Sequence, residues 1–136
     1  MSQSGFVLRI APGGADKVPE ALRLGELIIG WAEAGGLLDS NLRWESFREI
    51  VRRAYYADQS DLRRAGGAAG HLWRFIREMT PGDLIVVPYE ADFFVAGVSG
   101  PATFDRTKVN DDSAYRRAGE PNIGSSLVLC MLLSDS

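Results

Sequence analysis

The chain has 136 residues, of which 46% are hydrophobic and 24% charged, and its formal net charge is -3 at pH 7. This balance is typical of a single globular domain over residues 1–136 that buries roughly two-thirds of its unfolded surface. It excludes a membrane span, because no apolar run approaches the roughly 20 residues that a bilayer requires. The first residues lack the basic and apolar regions of a signal peptide, so a cytoplasmic location is expected.

The first part of the chain is predicted to contain two strands and two helices. Apolar runs indicate the strands, and apolar residues at spacings of three and four indicate the longer helix. In chain order we expect a strand over 6–10, a glycine turn at 12–14, helical turns over 19–24, a strand over 26–31 and a helix over 42–56. The candidate N-caps of the longer helix are Asp39, Ser40 and Asn41.

A helix followed by a hairpin is predicted next. The helix covers residues 68–79 and ends before Pro81, and the helical stretch that precedes it is expected to be interrupted at Gly66-Gly67. Residues 84–87 are predicted to form a fully buried strand. A second strand over 93–98 follows after a short turn, so the two strands form a hairpin that packs on the helix.

The last part of the chain is predicted to be mostly loop. Gly100-Pro101 is expected to break the second hairpin strand, and residues 102–104 can resume it. Residues 105–124 are rich in polar and turn-forming residues, which favours a long loop. A final apolar strand is expected over 126–133. This order of elements predicts an α+β domain, either a strongly bent mixed sheet or a small barrel, flanked by helices.

Positive charge is concentrated in one stretch. Residues 43–77 contain eight arginines and four acidic residues, whereas the chain from residue 78 onward contains nine acidic residues and four basic ones. Arginine is suited to bidentate phosphate contacts. Two interpretations stay open here: a surface that contacts phosphate groups, or a solvated helical face with intrahelical ion pairs.

The motifs of common catalytic sites are absent from the sequence. It contains no glycine-rich phosphate loop followed by lysine and no Gly-x-Ser-x-Gly elbow. The single cysteine, Cys130, lies in an apolar run, away from the single histidine, so neither a Cys-His nucleophile nor a structural zinc site is expected. The prediction is a non-catalytic domain without a cofactor or a metal.

Trp31 is the aromatic residue most suggestive of a binding site. It follows a continuous apolar strand and precedes a glycine-rich loop, so its ring is expected at the rim of the sheet, where planar ligands stack. Tyr89 and Phe93 flank the hairpin turn and are candidates for the same rim. Each of these rings is equally compatible with a place in the core, and His71 is best explained as an imidazole bonded to backbone near a helix N-terminus.

Several blocks of the sequence together resemble the EVE-like branch of the PUA superfamily. The blocks are residues 27–31, 65–70, 72–75, 82–88 and 94–101. The resemblance covers about residues 6–115, and it is strongest to the N-terminal sensor domains that precede Mrr-type or McrB-type restriction modules. It implies a PUA-like, EVE-like twisted barrel with a pocket that accepts one modified base.

The resemblance implies that the chain reads modified double-stranded DNA for a restriction system, with any nuclease or NTPase in a fused or associated module. The base-binding residues that follow from it are Trp31, Ala69, Gly70, His71, Tyr89 and Phe93. Trp31 would form a wall of the pocket, and the helix start at residues 69–71 would offer backbone N–H groups to the base edge. The candidates for contacts with flanking phosphates are Arg63, Arg64, Arg74 and Arg77.

The C-terminal end departs from the family pattern. Related domains continue after the equivalent of residues 115–117 with a basic strand that ends in Val-x-Trp, and this chain has no tryptophan there. Two alternatives to a DNA reader stay open. One is a reader of modified RNA, because YTH and EVE relatives share the fold, and the other is a small-molecule or protein-interaction module, which the acidic composition favours.

Overall fold

The computed structural model describes residues 5–121, which form an α+β domain around one five-stranded mixed sheet. The strands are β1 (Gly5–Val7), β2 (Glu26–Ile29), β3 (Leu84–Tyr89), β4 (Asp92–Phe104) and β5 (Tyr115–Pro121). The helices are α1 (Val18–Leu24), α2 (Trp44–Tyr55) and α3 (Arg63–Trp73). Shorter helical segments are 3-10 turns at Pro12–Gly14 and Arg106–Lys108 and a π-helical segment at Arg74–Glu78.

The strands lie in the order β1-β3-β4-β5-β2. β1 is parallel to β3, and all other neighbouring strands are antiparallel. The α+β class and the mixed sheet are thereby confirmed. Within residues 5–121 the sheet does not close into a barrel, because β1 and β2 lie at opposite ends of it.

One hydrophobic core joins the sheet to the helices. Its largest fully buried side chains include Phe47 of α2, Phe75 of the π-helical segment and Phe94 of β4. In β3, Ile85 and Val87 are buried whereas Leu84 is 41% exposed. The prediction of a fully buried strand was therefore wrong, since this alternation is typical of a sheet that is covered on one face.

Helix α3 runs through Gly66-Gly67 without a break, contrary to the predicted interruption. Each glycine costs about 1 kcal/mol relative to alanine inside a helix. The small residues on the other turns offset this cost, because Ala65, Ala68 and Ala69 are buried and let the helix approach the core closely. The following segment continues as a π-helix, in which the Met79 N–H donates to the Arg74 carbonyl.

Strand β5 lies where the sequence predicted part of a long loop, so that prediction was wrong. Its two adjacent arginines, Arg116 and Arg117, are buried, whereas the polar sequence of this segment predicted exposure to solvent. The Arg116 guanidinium pairs with Glu20 and Glu26. The Arg117 guanidinium donates to the carbonyls of Gly100 and Phe75. Because both cations find acceptors, their burial is tolerated in a strand between β4 and β2.

Two element boundaries also differ from the predictions. β4 continues through Gly100-Pro101, where a register shift against β5 between Val98 and Ala102 marks a bulge. A bulge accommodates proline because it interrupts the regular hydrogen-bond ladder. α2 begins only at Trp44, and none of the three predicted N-cap residues caps it: its N-cap is Arg43, without a side-chain hydrogen bond.

The predicted strand over 126–133, with Cys130, lies outside the described residues. Among residues 5–121 no helix combines the length and the apolar character that crossing a bilayer requires.

Gly119→Ala is expected to lower the free energy of unfolding by about 1–3 kcal/mol, because it overpacks the β5–β2 contact. A Cβ at Gly119 would lie 2.8 Å from Leu27 Cγ. The measurement is urea denaturation, with Gly97→Ala as the matched control, since a Cβ at Gly97 meets nothing within 4 Å. Equal unfolding free energies for the two variants would contradict the tight packing of Gly119.

Candidate functional site

Trp31 lies just beyond the end of β2 in a strained backbone conformation. β2 ends at Ile29, and Trp31 has a φ of 65°, in the left-handed region. A bulky residue rarely adopts this conformation, and it persists only where the surrounding structure holds it. Strain of this kind concentrates at functional sites, so the Trp31 turn is a candidate site.

The carboxylate of Asp112 holds this turn. Its Oδ2 accepts the Trp31 N–H at 3.0 Å, and its Oδ1 accepts the Ala32 N–H at 2.9 Å. Asp112 itself has a φ of 63°, so two left-handed residues are joined directly by a hydrogen bond. A third donor, the Tyr55 hydroxyl, reaches Oδ1 at 2.7 Å. We refer to Trp31, Ala32, Tyr55 and Asp112 as the Asp112 clamp.

Tyr55 connects α2 to the clamp. Its hydroxyl donates to Asp112 and accepts the Glu33 N–H at 2.9 Å. Burial raises the pKa of the Tyr55 phenol, and the hydrogen bond to Asp112 raises it further. The phenol therefore remains protonated at neutral pH and keeps its role as a donor.

The Trp31 indole is fixed by a hydrogen bond at its ring edge and by a stacking contact on one ring face. Its Nε1–H donates to the Tyr56 hydroxyl at 3.4 Å, and its ring stacks on His71 with a centroid distance of 6.1 Å and an interplanar angle of 6°. A planar guest between the two rings would need about 7 Å, twice the optimal carbon–carbon separation. The space between Trp31 and His71 is therefore too narrow for a base in this arrangement.

His71 is held in a neutral form beside this stack. The Arg74 Nη2 lies 3.1 Å from His71 Nδ1, and because guanidinium only donates, Nδ1 is the acceptor. Partial burial lowers the pKa of His71, and the positive charge of Arg74 lowers it further.

A cavity of about 390 Å³ lies beside Trp31, within the range of small-molecule sites. Its walls come from residues 9 and 11–14, residues 29–31, Tyr55 and Asp112. Gly30 is required by close approach, because a Cβ there would lie 3.1 Å from Asp112 Oδ2 and 3.4 Å from Pro12 Cα. His71 does not line this cavity, so the cavity and the His71 stack are separate environments of the same indole.

The helix residues predicted to contact a base lie elsewhere. α3 begins at Arg63, so Ala69, Gly70 and His71 lie inside the helix rather than at its start. Their backbone N–H groups bond within the helix and are not free to meet a base edge. The predicted helix start at these residues was wrong, because the small residues before them continue the helix. Ala69 is fully buried, and the His71 ring stacks on Trp31.

The two hairpin aromatics are separated from Trp31. Tyr89 lines a second cavity of about 170 Å³, which shares Arg9, Ala11 and Gly14 with the first. Phe93 is 52% exposed and lines neither cavity. The structure therefore does not bring Trp31, Tyr89 and Phe93 together in one aromatic cage.

The four predicted phosphate-contacting arginines differ in their surroundings. The Arg63 side chain is 91% exposed and pairs with Asp61, and Arg64 is exposed. Arg77 has another role: its Nη2 donates to the carbonyls of Asp39 and Leu42 at 2.6 and 3.1 Å. Its guanidinium is thus committed to holding the loop before α2. None of the four, Arg74 included, lines the Trp31 cavity.

Sequence reasoning missed Arg9, Gly30, Tyr55 and Asp112 as parts of the site. Tyr55 fits the apolar spacing of the buried face of α2, so the sequence indicates a core residue. Asp112 lies in the region predicted to be a loop, 81 residues from Trp31. No local pattern links residues so far apart. The glycine before Trp31 was the one available signal, since a glycine at a strand end often marks close backbone approach.

The cavity is lined by Trp31, Tyr55 and Asp112, and Arg9 lies at its boundary with the second cavity. The indole, the phenol and the carboxylate suit a planar ligand with polar edges, which stacks on the indole and exchanges hydrogen bonds with the other two. In the part of the chain that the structure describes, no three His, Cys, Asp or Glu side chains come together as a metal site requires.

The fold and the cavity define a small α+β domain with a cavity, lined in part by aromatic residues, at the end of strand β2 of an open mixed sheet. The chain belongs to the family described as Domain of unknown function (DUF8426), whose family model matches residues 10–119. That range includes Trp31, Tyr55 and Asp112. Comparisons with curated proteins and with solved structures gave no match. The resemblance to EVE-like and PUA-like domains stays a prediction.

Proposed function

We propose that this domain is a DNA-binding sensor that takes one modified base, flipped out of a duplex, into the cavity beside Trp31. The observation that carries the proposal is the fixed position of Trp31. Its backbone N–H donates to Asp112, and its indole Nε1–H donates to the Tyr56 hydroxyl. A preorganised aromatic wall beside a cavity of about 390 Å³ suits a planar ligand.

The energetics of base flipping fit this geometry. Extruding a base costs a few kcal/mol, and less when the base is mismatched or damaged. Stacking on one aromatic ring is worth about 1–3 kcal/mol, and burying one methyl group adds roughly 0.8 kcal/mol. Stacking on Trp31 alone therefore offsets much of the cost of extruding the base. The free energy of burying the added methyl group then favours the modified base over the plain one.

The polar wall of the cavity supports a base with an N–H edge. Asp112 Oδ1 accepts two hydrogen bonds, whereas Oδ2 accepts one, from the Trp31 N–H. A carboxylate oxygen has two acceptor sites, so Oδ2 retains one for a donor on the ligand. An exocyclic amino group, such as those of cytosine and adenine, supplies that donor.

In this proposal the flanking phosphates are met by Arg63 and Arg64, which are exposed at the start of α3. Arg77 takes no part, because its guanidinium binds backbone carbonyls. The domain would act within a modification-dependent restriction system, with the cutting or NTP-driven step carried out by a fused or associated module.

The test is a binding screen with labelled duplexes that differ only in one base, followed by fluorescence anisotropy at physiological salt. The duplexes carry 5-methylcytosine, N6-methyladenine or no modification. We expect at least one modified duplex to bind about fourfold more tightly than the plain one, which corresponds to the roughly 0.8 kcal/mol of one buried methyl group.

Equal affinity for all duplexes would contradict the proposal. Stronger competition by RNA that bears the same modified base would identify an RNA reader instead. An absence of binding to any nucleic acid, even at low salt, would favour the small-molecule or protein-interaction alternative.

A further inference from the structure

The Trp31 cavity adjoins a second cavity, and we refer to the two together as the groove. The second cavity, of about 170 Å³, shares Arg9, Ala11 and Gly14 with the first. One half therefore contains the Trp31 indole, and the other contains the Tyr89 ring. The shared residues form the boundary between two aromatic compartments.

Arg9 lies at this boundary without a partner among the described residues. Its side chain lines both cavities and is exposed, and it makes no hydrogen bond or ion pair with any residue in the range 5–121. Arg77, Arg116 and Arg117, in contrast, are bound to carbonyls or carboxylates of the fold. The Arg9 guanidinium lies between a cavity lined by Trp31 and a cavity lined by Tyr89. It is therefore placed to bind an anionic group that links two planar groups.

The Tyr89 compartment has an acidic rim. Asp16 and Glu90 line it together with Tyr89, and Asp16 Oδ1 also accepts the Val18 N–H at 3.0 Å. Partial burial raises the pKa of the Tyr89 phenol, as do the charges of Asp16 and Glu90, so the ring stays neutral. These carboxylates repel a phosphate inside the compartment, so the anionic group of a ligand is best placed at Arg9.

We propose that the groove binds two consecutive nucleotides of one strand, with the phosphate that joins them on Arg9. This inference rests on the proposed function. The modified base occupies the Trp31 cavity, and the neighbouring nucleoside lies against Tyr89. The site would thus recognise a dinucleotide step rather than an isolated base, and the phosphate on Arg9 fixes which nucleotide enters which compartment.

Titration calorimetry with small probes tests this inference. The probes are the free nucleosides of 5-methylcytosine and N6-methyladenine and the dinucleoside monophosphates that contain them. In the wild type we expect the dinucleoside monophosphate to bind about tenfold more tightly than its nucleoside. This factor corresponds to the lower end of the free-energy range of hydrogen bonds to charged groups, because Arg9 is exposed.

Arg9→Gln is expected to remove most of this difference while leaving the nucleoside affinity within about twofold, because the nucleoside carries no phosphate. Arg23→Gln is the matched control: Arg23 is an exposed arginine of α1 that lines neither cavity. We expect it to preserve the tenfold difference.

Two outcomes overturn the inference and remain distinguishable. If the nucleoside binds but the added phosphate contributes nothing, or if Arg9→Gln weakens both probes equally, the dinucleotide site is wrong and the base cavity stands. If neither probe binds, the proposed function fails, and the dinucleotide site fails with it.

Discussion

Asn in place of Asp112 is expected to lower the free energy of unfolding by about 2–3 kcal/mol. The carboxylate receives the Trp31 N–H on one oxygen and the Ala32 N–H and the Tyr55 hydroxyl on the other. An amide has one acceptor oxygen, so whichever way Asn is oriented, its NH₂ faces a donor. Asn tolerates a positive φ well, and the substitution therefore isolates hydrogen bonding from backbone strain.

The measurement is urea denaturation together with the amide N–H resonance of Trp31, which reports the turn directly. Asp58→Asn is the control, because Asp58 is exposed and makes no hydrogen bond or ion pair among residues 5–121. We expect that variant to unfold within about 0.5 kcal/mol of the wild type. An Asp112→Asn protein as stable as the control would show that the clamp does not hold the Trp31 turn.

The limits of sequence-based prediction are clearest in β5. Apolar runs identified β2, β3 and residues 93–98 of β4 because each of these segments buries hydrophobic side chains. β5 buries Tyr115, Arg116 and Arg117 instead, and the two arginines are satisfied by acceptors distant in the chain. Hydrophobic patterning detects strands stabilised by apolar burial, but not strands whose buried charges are paired through tertiary contacts.

The same contrast explains the site. The position of Trp31 at the sheet rim follows from local sequence, since an apolar strand ends there at a glycine. Its partners Tyr55 and Asp112 come from a helix and a distant loop, and the contact across 81 residues leaves no local trace. The predicted helix start at residues 69–71 was wrong for a related reason, because burial of small side chains kept α3 helical through Gly66-Gly67.

Trp31→Ala is expected to abolish the preference for modified duplexes while leaving weak nonspecific binding intact. Loss of one stacking wall costs about 1–3 kcal/mol, or roughly 5- to 150-fold in affinity for the modified duplex. In the proposed function, affinity for plain DNA comes from phosphate contacts by exposed arginines, which the substitution does not touch. Alanine, like tryptophan, carries a Cβ and disfavours a positive φ, so the backbone strain at position 31 is retained.

Trp31→Phe and Phe93→Ala complete the measurement by anisotropy with the same duplexes. Phenylalanine keeps a stacking face but loses the Nε1–H bond to Tyr56, so an intermediate preference is expected. Phe93 is an exposed aromatic that lines neither cavity, and its removal should leave the preference unchanged. If Phe93→Ala removed the preference and Trp31→Ala preserved it, the base would bind at the hairpin, and the Trp31 cavity would have some other ligand.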